Sequence, residues 1–438
     1  MSTLTSRANI IFRKSIVPLL LLTICPPAVF VFWYTATALN GSFIALGQMI
    51  SQSSLISTLS LIAKPVFFGS PLAWKILAVF AAFQLFLMKF VPGKPFLGPV
   101  TPKGNVPIYK ANGIACYLIT FVSFILASYK FHLFSPTIIY DNLGPLLGAL
   151  NCFSLVFCLA LYFKGKYAPS SSDSGTTGNA LFDYYWGTEL YPRIYGWDVK
   201  MFTNCRFGMM SWSLILLSYA AKQQQLYGLS DSMLVAVTLQ LIYIAKFFFW
   251  ETGYLRSLDI MHDRAGFMIC WGCLVWVPCF YTLPTMYLVN QPIELGTFTA
   301  TAIFLAGVAS IAINFLADRQ RQQVRAKNGA CLIWGTKPIL IHAPYQTQSG
   351  ETKQTLLLAS GWWGLSRHFH YIPEILAAFF WTVPALFGNV IPYFYVIFLT
   401  VLLIDRAYRH DKRCHDKYGE NWAKYCEAVP YKIIPYLF

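Results

Sequence analysis

Thr297-Phe-Thr-Ala-Thr-Ala-Ile-Phe-Leu-Ala-Gly-Val-Ala-Ser-Ile-Ala-Ile-Asn-Phe-Leu-Ala317-Asp-Arg-Gln-Arg-Gln-Gln-Val-Arg325-Ala-Lys-Asn-Gly329 decides the fold. Residues 297–317 carry no charge. They are long enough to cross a bilayer, which takes about 20 apolar residues. The basic segment 318–329 follows at once. The same pairing recurs near the end of the chain. There an apolar run over 390–404 leads into Asp405-Arg-Ala-Tyr-Arg-His-Asp-Lys-Arg-Cys-His-Asp-Lys-Tyr-Gly419. Cationic side chains this close to lipid need water or an anionic partner. The two segments are therefore a candidate phosphate site at a membrane face.

Composition supports a membrane setting. The 438 residues are 56% hydrophobic and only 12% charged, against about 25% charged in soluble domains. The chain reads as an all-α, polytopic membrane protein. Ten spans are expected near 16–37, 72–91, 114–134, 144–163, 207–222, 231–250, 266–289, 297–317, 371–388 and 390–404. The first is a retained span rather than a cleaved signal. The segment 41–66 is apolar but rich in Ser and Gln, and reads as interfacial or re-entrant. The last two spans form a helical hairpin joined near Gly388–Pro392. With ten spans, the basic residues fall mostly on one side. The positive-inside rule then places both termini in the cytosol.

The net charge of +15 suits anionic lipid or a phosphorylated cofactor. Nucleic acid is excluded as a partner, because no separate soluble basic domain is present. The eleven cysteines are scattered, and Cys116, Cys152, Cys158, Cys270, Cys273 and Cys279 lie in apolar runs. They read as reduced, buried thiols. Cys270-x-x-Cys273 has metal-like spacing but lacks a second pair, so no metal is expected.

The chain divides into N-terminal transmembrane helices (1–164), a cytosolic linker with an aromatic and charged stretch (165–206), and a C-terminal transmembrane catalytic region (207–438). Ala168-Pro-Ser-Ser-Ser-Asp-Ser-Gly-Thr-Thr-Gly178 reads as a flexible linker. A turn is expected at Gly350. Ser2, Thr3, Thr5 and Ser6 form a tail without an interpretable motif.

Three groups of residues carry the chemistry. Arg321 and Arg325 are spaced i, i+4 and share a helix face. Guanidinium forks bind phosphates bidentately; the bland alternative is a stop-transfer cluster. Arg406, Arg409, Lys412, Arg413 and Lys417 lie beyond the last span on the same expected side, so both clusters can converge on one dinucleotide. Between them, Ser360-Gly-Trp-Trp-Gly-Leu-Ser-Arg-His-Phe-His-Tyr371 supplies glycines for close backbone approach and tryptophans to pack on a ring. Trp is equally an interface anchor. No Rossmann or P-loop fingerprint is present. The third group, between two spans, holds Glu251, Arg256, Asp259, His262, Asp263 and Arg264. His262 has the intrinsic chemistry of an acid–base residue, and Asp259 and Asp263 could orient it. A short cytosolic loop also explains these charges.

These residues resemble the sterol reductase family of endoplasmic reticulum membranes, most strongly from residue 183 onward. The resemblance is carried by Glu189-Leu-Tyr-Pro-Arg-Ile194, Thr203-Asn-Cys-Arg-Phe-Gly-Met-Met-Ser-Trp212, Asp259-Ile-Met-His-Asp-Arg264, Leu332-Ile-Trp-Gly335, the Gly361–Tyr371 turn, and Arg413-Cys-His-Asp-Lys-Tyr-Gly419 with Pro430-Tyr-Lys-Ile-Ile-Pro435. Within the family the chain looks most like the Δ7 branch in its plant form. Arg206-Phe207-Gly208 departs from the more widespread Arg-Pro-Gly. The resemblance implies a multi-pass protein of the endoplasmic reticulum membrane, or of the cell membrane in a bacterial source. Its sterol substrate would come from the bilayer, and the resemblance leaves room for association with other sterol-pathway enzymes. It implies a C-terminal cytosolic NADPH pocket made of Arg321, Arg325, Leu358, Trp363, His370, Tyr371, Cys414, Lys417, Tyr418 and Tyr425. Relatives usually carry an acid where this chain has His410. Either His410 substitutes for it, or Asp411 shifts into its place.

The implied reaction is reduction of the C7–C8 double bond of 5,7-diene sterols. Protonation at C8 leaves an allylic cation that takes hydride at C7. The reaction needs a dry sterol slot, a positioned acid and support for positive charge. His262 with Asp263, Asp259 and Glu251 is the nominated acid–base group, with Tyr281 and Tyr287 as alternative donors. A C14 or side-chain sterol reductase, a membrane methyltransferase of similar look, and a non-enzymatic sterol-binding relative are the competing readings.

Overall fold

The computed structural model describes residues 11–346, 350 and 352–438. The Ser2–Ser6 tail lies outside them. Among the described residues, eight helices are long and apolar enough to cross a membrane: α1 (Phe12–Ala38), α2 (Pro71–Phe90), α3 (Gly113–Lys130), α4 (Leu143–Tyr167), α6 (Asp231–Phe249), α7 (Phe267–Leu288), α8 (Thr297–Ala326) and α10 (Ile391–Tyr418). The expected ten are corrected at two places. Helix α5 (Met210–Leu226) follows buried Asn204 and Arg206 and ends in the polar Lys222-Gln-Gln-Gln225 run. Helix α9 (Tyr371–Ala385) is apolar but short. It still packs against α10 as a hairpin across the Gly388–Pro392 turn.

Segment 41–66 holds two helices, Phe43–Ser53 and Leu55–Ala63, each capped by a serine hydroxyl. They break at Ser54, whose φ is 88°. Neither is long enough to span.

Two stretches of wide π-helical turns, Met201–Met209 and Phe267–Tyr281, lie side by side. Such turns displace side chains from regular positions and recur at functional sites. Their contact depends on Gly208, where a Cβ would sit 2.7 Å from the Cys273 carbonyl oxygen. An aromatic nest forms between α5, α6, α7, α9 and α10, with Trp212, Trp381 and Tyr395 buried and Tyr243 and Tyr281 partly so. The rings of Trp212 and Tyr281 are 5.3 Å apart, those of Tyr243 and Trp381 5.2 Å, and those of Tyr281 and Tyr395 4.5 Å.

Outside the bundle, the described residues form three small antiparallel pairs: β1 (Lys94–Leu97) with β2 (Ile108–Ala111), β3 (Arg193–Ile194) with β4 (Trp197–Asp198), and β5 (Leu340–Gln346) with β6 (Thr352–Leu358). The last pair reverses around Gly350, whose φ is 82°; residues 347–349 and 351 of the expected turn lie outside the described residues.

The flexible linker expected at 168–178 is a correction. Buried Asp173 accepts hydrogen bonds from the Thr101 hydroxyl at 2.6 Å and the Asn105 amide at 2.6 Å. Glu189 holds Ser170 N at 2.5 Å and Lys164 Nζ at 2.7 Å. Composition could not show that two carboxylates pin this segment. No disulfide joins the described cysteines; Cys116, Cys158, Cys270 and Cys279 are buried, and Cys152 and Cys273 are partly so.

Candidate functional site

Helix α8 carries the first arginines past its apolar body. The Arg321 guanidinium stacks 4.0 Å above the Trp363 ring and bonds Asp318 at 3.1 Å. Arg325 is solvent-exposed. It has no ion-pair or hydrogen-bond partner among the described residues, though Arg321, Tyr418 and Tyr425 lie within electrostatic reach. Trp363 is fixed from both sides. Its indole donates to the Ala317 carbonyl at 2.8 Å, and its own carbonyl accepts from Tyr425 Oη at 3.4 Å. The glycine before this turn serves the protein rather than a ligand. Gly361 has φ 61°, and a Cβ there would lie 2.3 Å from Gln320 Oε1. That oxygen accepts from Trp362 N at 2.9 Å, docking the turn on α8.

The turn continues into a histidine cluster. The His370 ring is 4.8 Å from Trp363 and 4.3 Å from Tyr371; the His368 ring is 5.0 Å from His410. Burial among cationic neighbours pushes the His368 and His370 imidazoles below their usual range, His370 furthest. His370 Nδ1 is buried and has no partner, as is Arg406 Nε. Helix α10 and the following α11 (Glu420–Ala428) close the cluster. Cys414 Sγ is 3.6 Å from His410. Lys417 Nζ sits 3.7 Å over the Tyr345 ring, which meets Tyr418 edge-on at 5.8 Å. Leu358 packs with Trp363 and Val324. All eleven expected cofactor positions thus gather around α8, the 361–371 turn and α10–α11. Asp411 is held by Arg367 at 3.3 Å and Lys432 at 3.2 Å. The neighbouring His410 ring faces His368.

The four nominated acid–base residues do not form one group. Asp259 pairs with Arg406, Asp263 with His262 at 3.0 Å, and Glu251 with Arg206. Glu251 is a buried structural anchor: it also accepts Gly113 N at 2.8 Å, while Arg206 donates to Asn112 at 2.8 Å. The His262 side chain is 44% exposed and faces Trp186, not an apolar interior. Sequence spacing groups the four residues, but short helices Glu251–Tyr254 and Leu258–Met261 turn them apart.

Two features escaped sequence reading. Buried Lys200 donates to the carbonyls of Asp259 at 2.7 Å, Ile260 at 2.9 Å and Asp263 at 2.7 Å. All three ammonium protons therefore hold the loop that carries Asp259. In the aromatic nest, the Tyr243 hydroxyl donates to Glu374. A carboxylate within an apolar run is a functional signal in itself, and Glu374, following Tyr371, was legible as such. Tyr281, an expected alternative donor, shares this nest. Tyr287 instead lies beside Gly41, whose added Cβ would meet its ring at 2.6 Å. A separate apolar cavity of about 500 Å³ lies among α2, α3, α4 and α5 and is lined by none of the nominated residues.

Residues 14–438 match the model of the ergosterol biosynthesis ERG4/ERG24 family. The chain is 54% identical over 420 residues to an Arabidopsis thaliana protein named 7-dehydrocholesterol reductase, covering 95% of this chain and 96% of the relative. It is 39% identical over 380 residues to the Xenopus laevis protein of the same name, covering 84% and 80%. A Methylotuvimicrobium alcaliphilum protein named Delta(14)-sterol reductase is 35% identical over 425 residues, covering 96% and 94%.

Proposed function

The chain belongs to the ergosterol biosynthesis ERG4/ERG24 family, and we propose that it reduces the C7–C8 double bond of 5,7-diene sterols with NADPH. The 54% identity to a 7-dehydrocholesterol reductase supports that substrate over a C14 alkene. The observation that carries the mechanism is a spacing. Glu374 lies one helical turn beyond His370, with Glu374 N bonded to the His370 carbonyl at 3.4 Å. A turn is about 5.4 Å. A proton source and the cofactor cluster therefore adjoin along α9.

The residues present fit a phosphorylated dinucleotide. Arg325 lacks an anionic partner among the described residues, His370 Nδ1 and Arg406 Nε are buried and without a hydrogen bond, and the Trp363 ring backs the Arg321 guanidinium beside them. Arg321 and Arg325 would hold phosphate; Leu358, Trp363, His370, Tyr371, His410, Cys414, Lys417, Tyr418 and Tyr425 would shape the rest of the site. When bound, NADPH supplies the hydride. The protein supplies the proton. Tyr243 points its hydroxyl with the help of Glu374, which can hold or replace the proton that Tyr243 gives to C8. Tyr281, Tyr395, Trp212 and Trp381 place ring faces around the resulting positive charge. Asp259, paired with Arg406, sits at the boundary between loop and cofactor cluster.

We place the protein in the endoplasmic reticulum membrane with both termini cytosolic. Its catalytic region is 207–438, and sterol enters from the bilayer. The test is an assay of membranes from a heterologous host lacking the activity, supplied with 7-dehydrocholesterol and NADPH. The expected product has lost the C7–C8 double bond, and a Δ8,14 sterol run in parallel stays unreduced. Reduction of the Δ8,14 sterol alone would transfer the protein to the C14 branch.

A further inference from the structure

A second polar recess lies outside the reductase site, where α2 ends at Phe90 and meets the β1–β2 and β3–β4 pairs. Its volume is about 390 Å³, within the range of ligand sites. Lys89, Lys110 and Arg193 supply three cations, Tyr195 and Trp197 two aromatic rings, and Asp198 one carboxylate.

The recess is built rather than incidental. Lys110 Nζ is anchored on the Lys89 carbonyl at 2.6 Å, and Arg193 Nη2 on the Ile108 carbonyl at 2.6 Å. Lys89 Nζ lies 4.7 Å from the centre of the Trp197 ring, and Trp197 donates to the Leu85 carbonyl at 3.2 Å. Asp198 is 5% exposed. Its Oδ1 accepts Met201 N at 2.9 Å, but its Oδ2 has no hydrogen-bond partner. Arg193 Nε likewise makes no hydrogen bond, and it faces that oxygen as a loose ion pair at 4.0 Å. A buried polar atom without a hydrogen bond favours a ligand group that can supply one. Tyr195 stands 92% exposed at the rim with φ 49°, a conformation unfavourable for a tyrosine.

A bare phosphate suits the three cations but would be repelled by Asp198. An ammonium group suits Asp198 but would be repelled by the cations. A phosphate joined to neutral hydroxyls satisfies both: the phosphate meets Lys89, Lys110 and Arg193, a hydroxyl donates to Asp198 Oδ2, and a carbon-rich ring face lies on Trp197. We propose that this recess binds a phosphorylated polyol headgroup, that of phosphatidylinositol. The lipid source is favoured because the recess adjoins the end of a membrane span.

The test uses the full chain in phosphatidylcholine nanodiscs containing equal minor amounts of phosphatidylinositol and phosphatidylserine, with native mass spectrometry reading the lipids retained. Phosphatidylinositol should be retained in preference to phosphatidylserine. The double variant Lys89→Gln with Lys110→Gln should weaken that retention by at least about tenfold. Both lysines are exposed and outside the reductase site, so sterol turnover should be unchanged. Asp198→Asn should keep anionic lipid but lose the preference for the inositol headgroup. Equal retention of both anionic lipids by the native chain overturns the proposal, and so does retention that the double variant leaves intact. Displacement by free inositol 1-phosphate at concentrations matching the lipid would overturn the lipid source in favour of a soluble phosphopolyol.

Discussion

The guanidinium of Arg406, on α10, donates to the carboxylate of Asp259, on the loop between α6 and α7. This pair ties the helix that carries the cofactor cluster to the wide-turn segment that lines the aromatic nest. Lys200 sets the other side of the same loop through three backbone carbonyls. The loop is thus gripped from two elements.

Arg325 tests the phosphate grip. A charge-assisted hydrogen bond contributes about 1.5–3 kcal/mol, or roughly ten- to a hundredfold in affinity. Arg325→Ala should raise the KM for NADPH by that factor with little change in the KM for sterol. Steady-state kinetics with each substrate varied separately will show it. An unchanged KM for NADPH would remove Arg325 from the site.

Tyr243 and His262 compete for the proton donor's role, and they can be separated. General acid catalysis contributes about 10²–10⁴-fold. Tyr243→Phe keeps the ring and removes the hydroxyl bonded to Glu374, so kcat should fall within that range while KM for NADPH holds. His262→Ala should keep most of kcat, because its ring faces solvent. The reverse pattern would return the acid's role to His262.

Glu251 distinguishes structure from chemistry. Removing one partner of a buried ion pair costs about 3–5 kcal/mol. Glu251→Ala should leave Arg206 without its counter-charge and lower the melting temperature and yield of folded protein. Native-like melting with lost turnover would instead place Glu251 in the reaction.

Acid should loosen the cofactor site. Folding holds His368 and His370 below their ordinary range. Their neutral forms favour the folded state fully above about pH 6.5, the unperturbed value. As pH falls below that, the unfolded chain binds protons that the folded chain resists, so stability drops. Melting followed by tryptophan fluorescence should show a loss between pH 7 and 5.5. His370→Gln should flatten that slope, and an identical slope would exclude His370 as a source.

Much of this architecture was legible in the chain. The apolar runs located the helices, and the basic segments at 318–329 and 405–419 proved to continue α8 and α10. What sequence could not show was direction. Glu251 and Asp259 lie within one short stretch, yet they turn to partners on other elements, Arg206 and Arg406, while Asp263 keeps its neighbour His262. Asp173 sits in a serine-rich stretch that composition reads as a linker, and only tertiary packing shows it buried. Tyr243 and Glu374 are separated by 131 positions, so no local spacing joins them. Lys200 looks like any basic residue near a membrane until its three carbonyl acceptors are seen.

The most direct test follows the hydrogen itself. Purified full-length protein is given a 5,7-diene sterol and NADPH deuterated at C4 of the nicotinamide, and the product is examined by mass spectrometry and NMR. The account predicts deuterium at C7 and a solvent-derived hydrogen at C8. Deuterium at any other carbon, or a diene returned unreduced by folded protein, would contradict it.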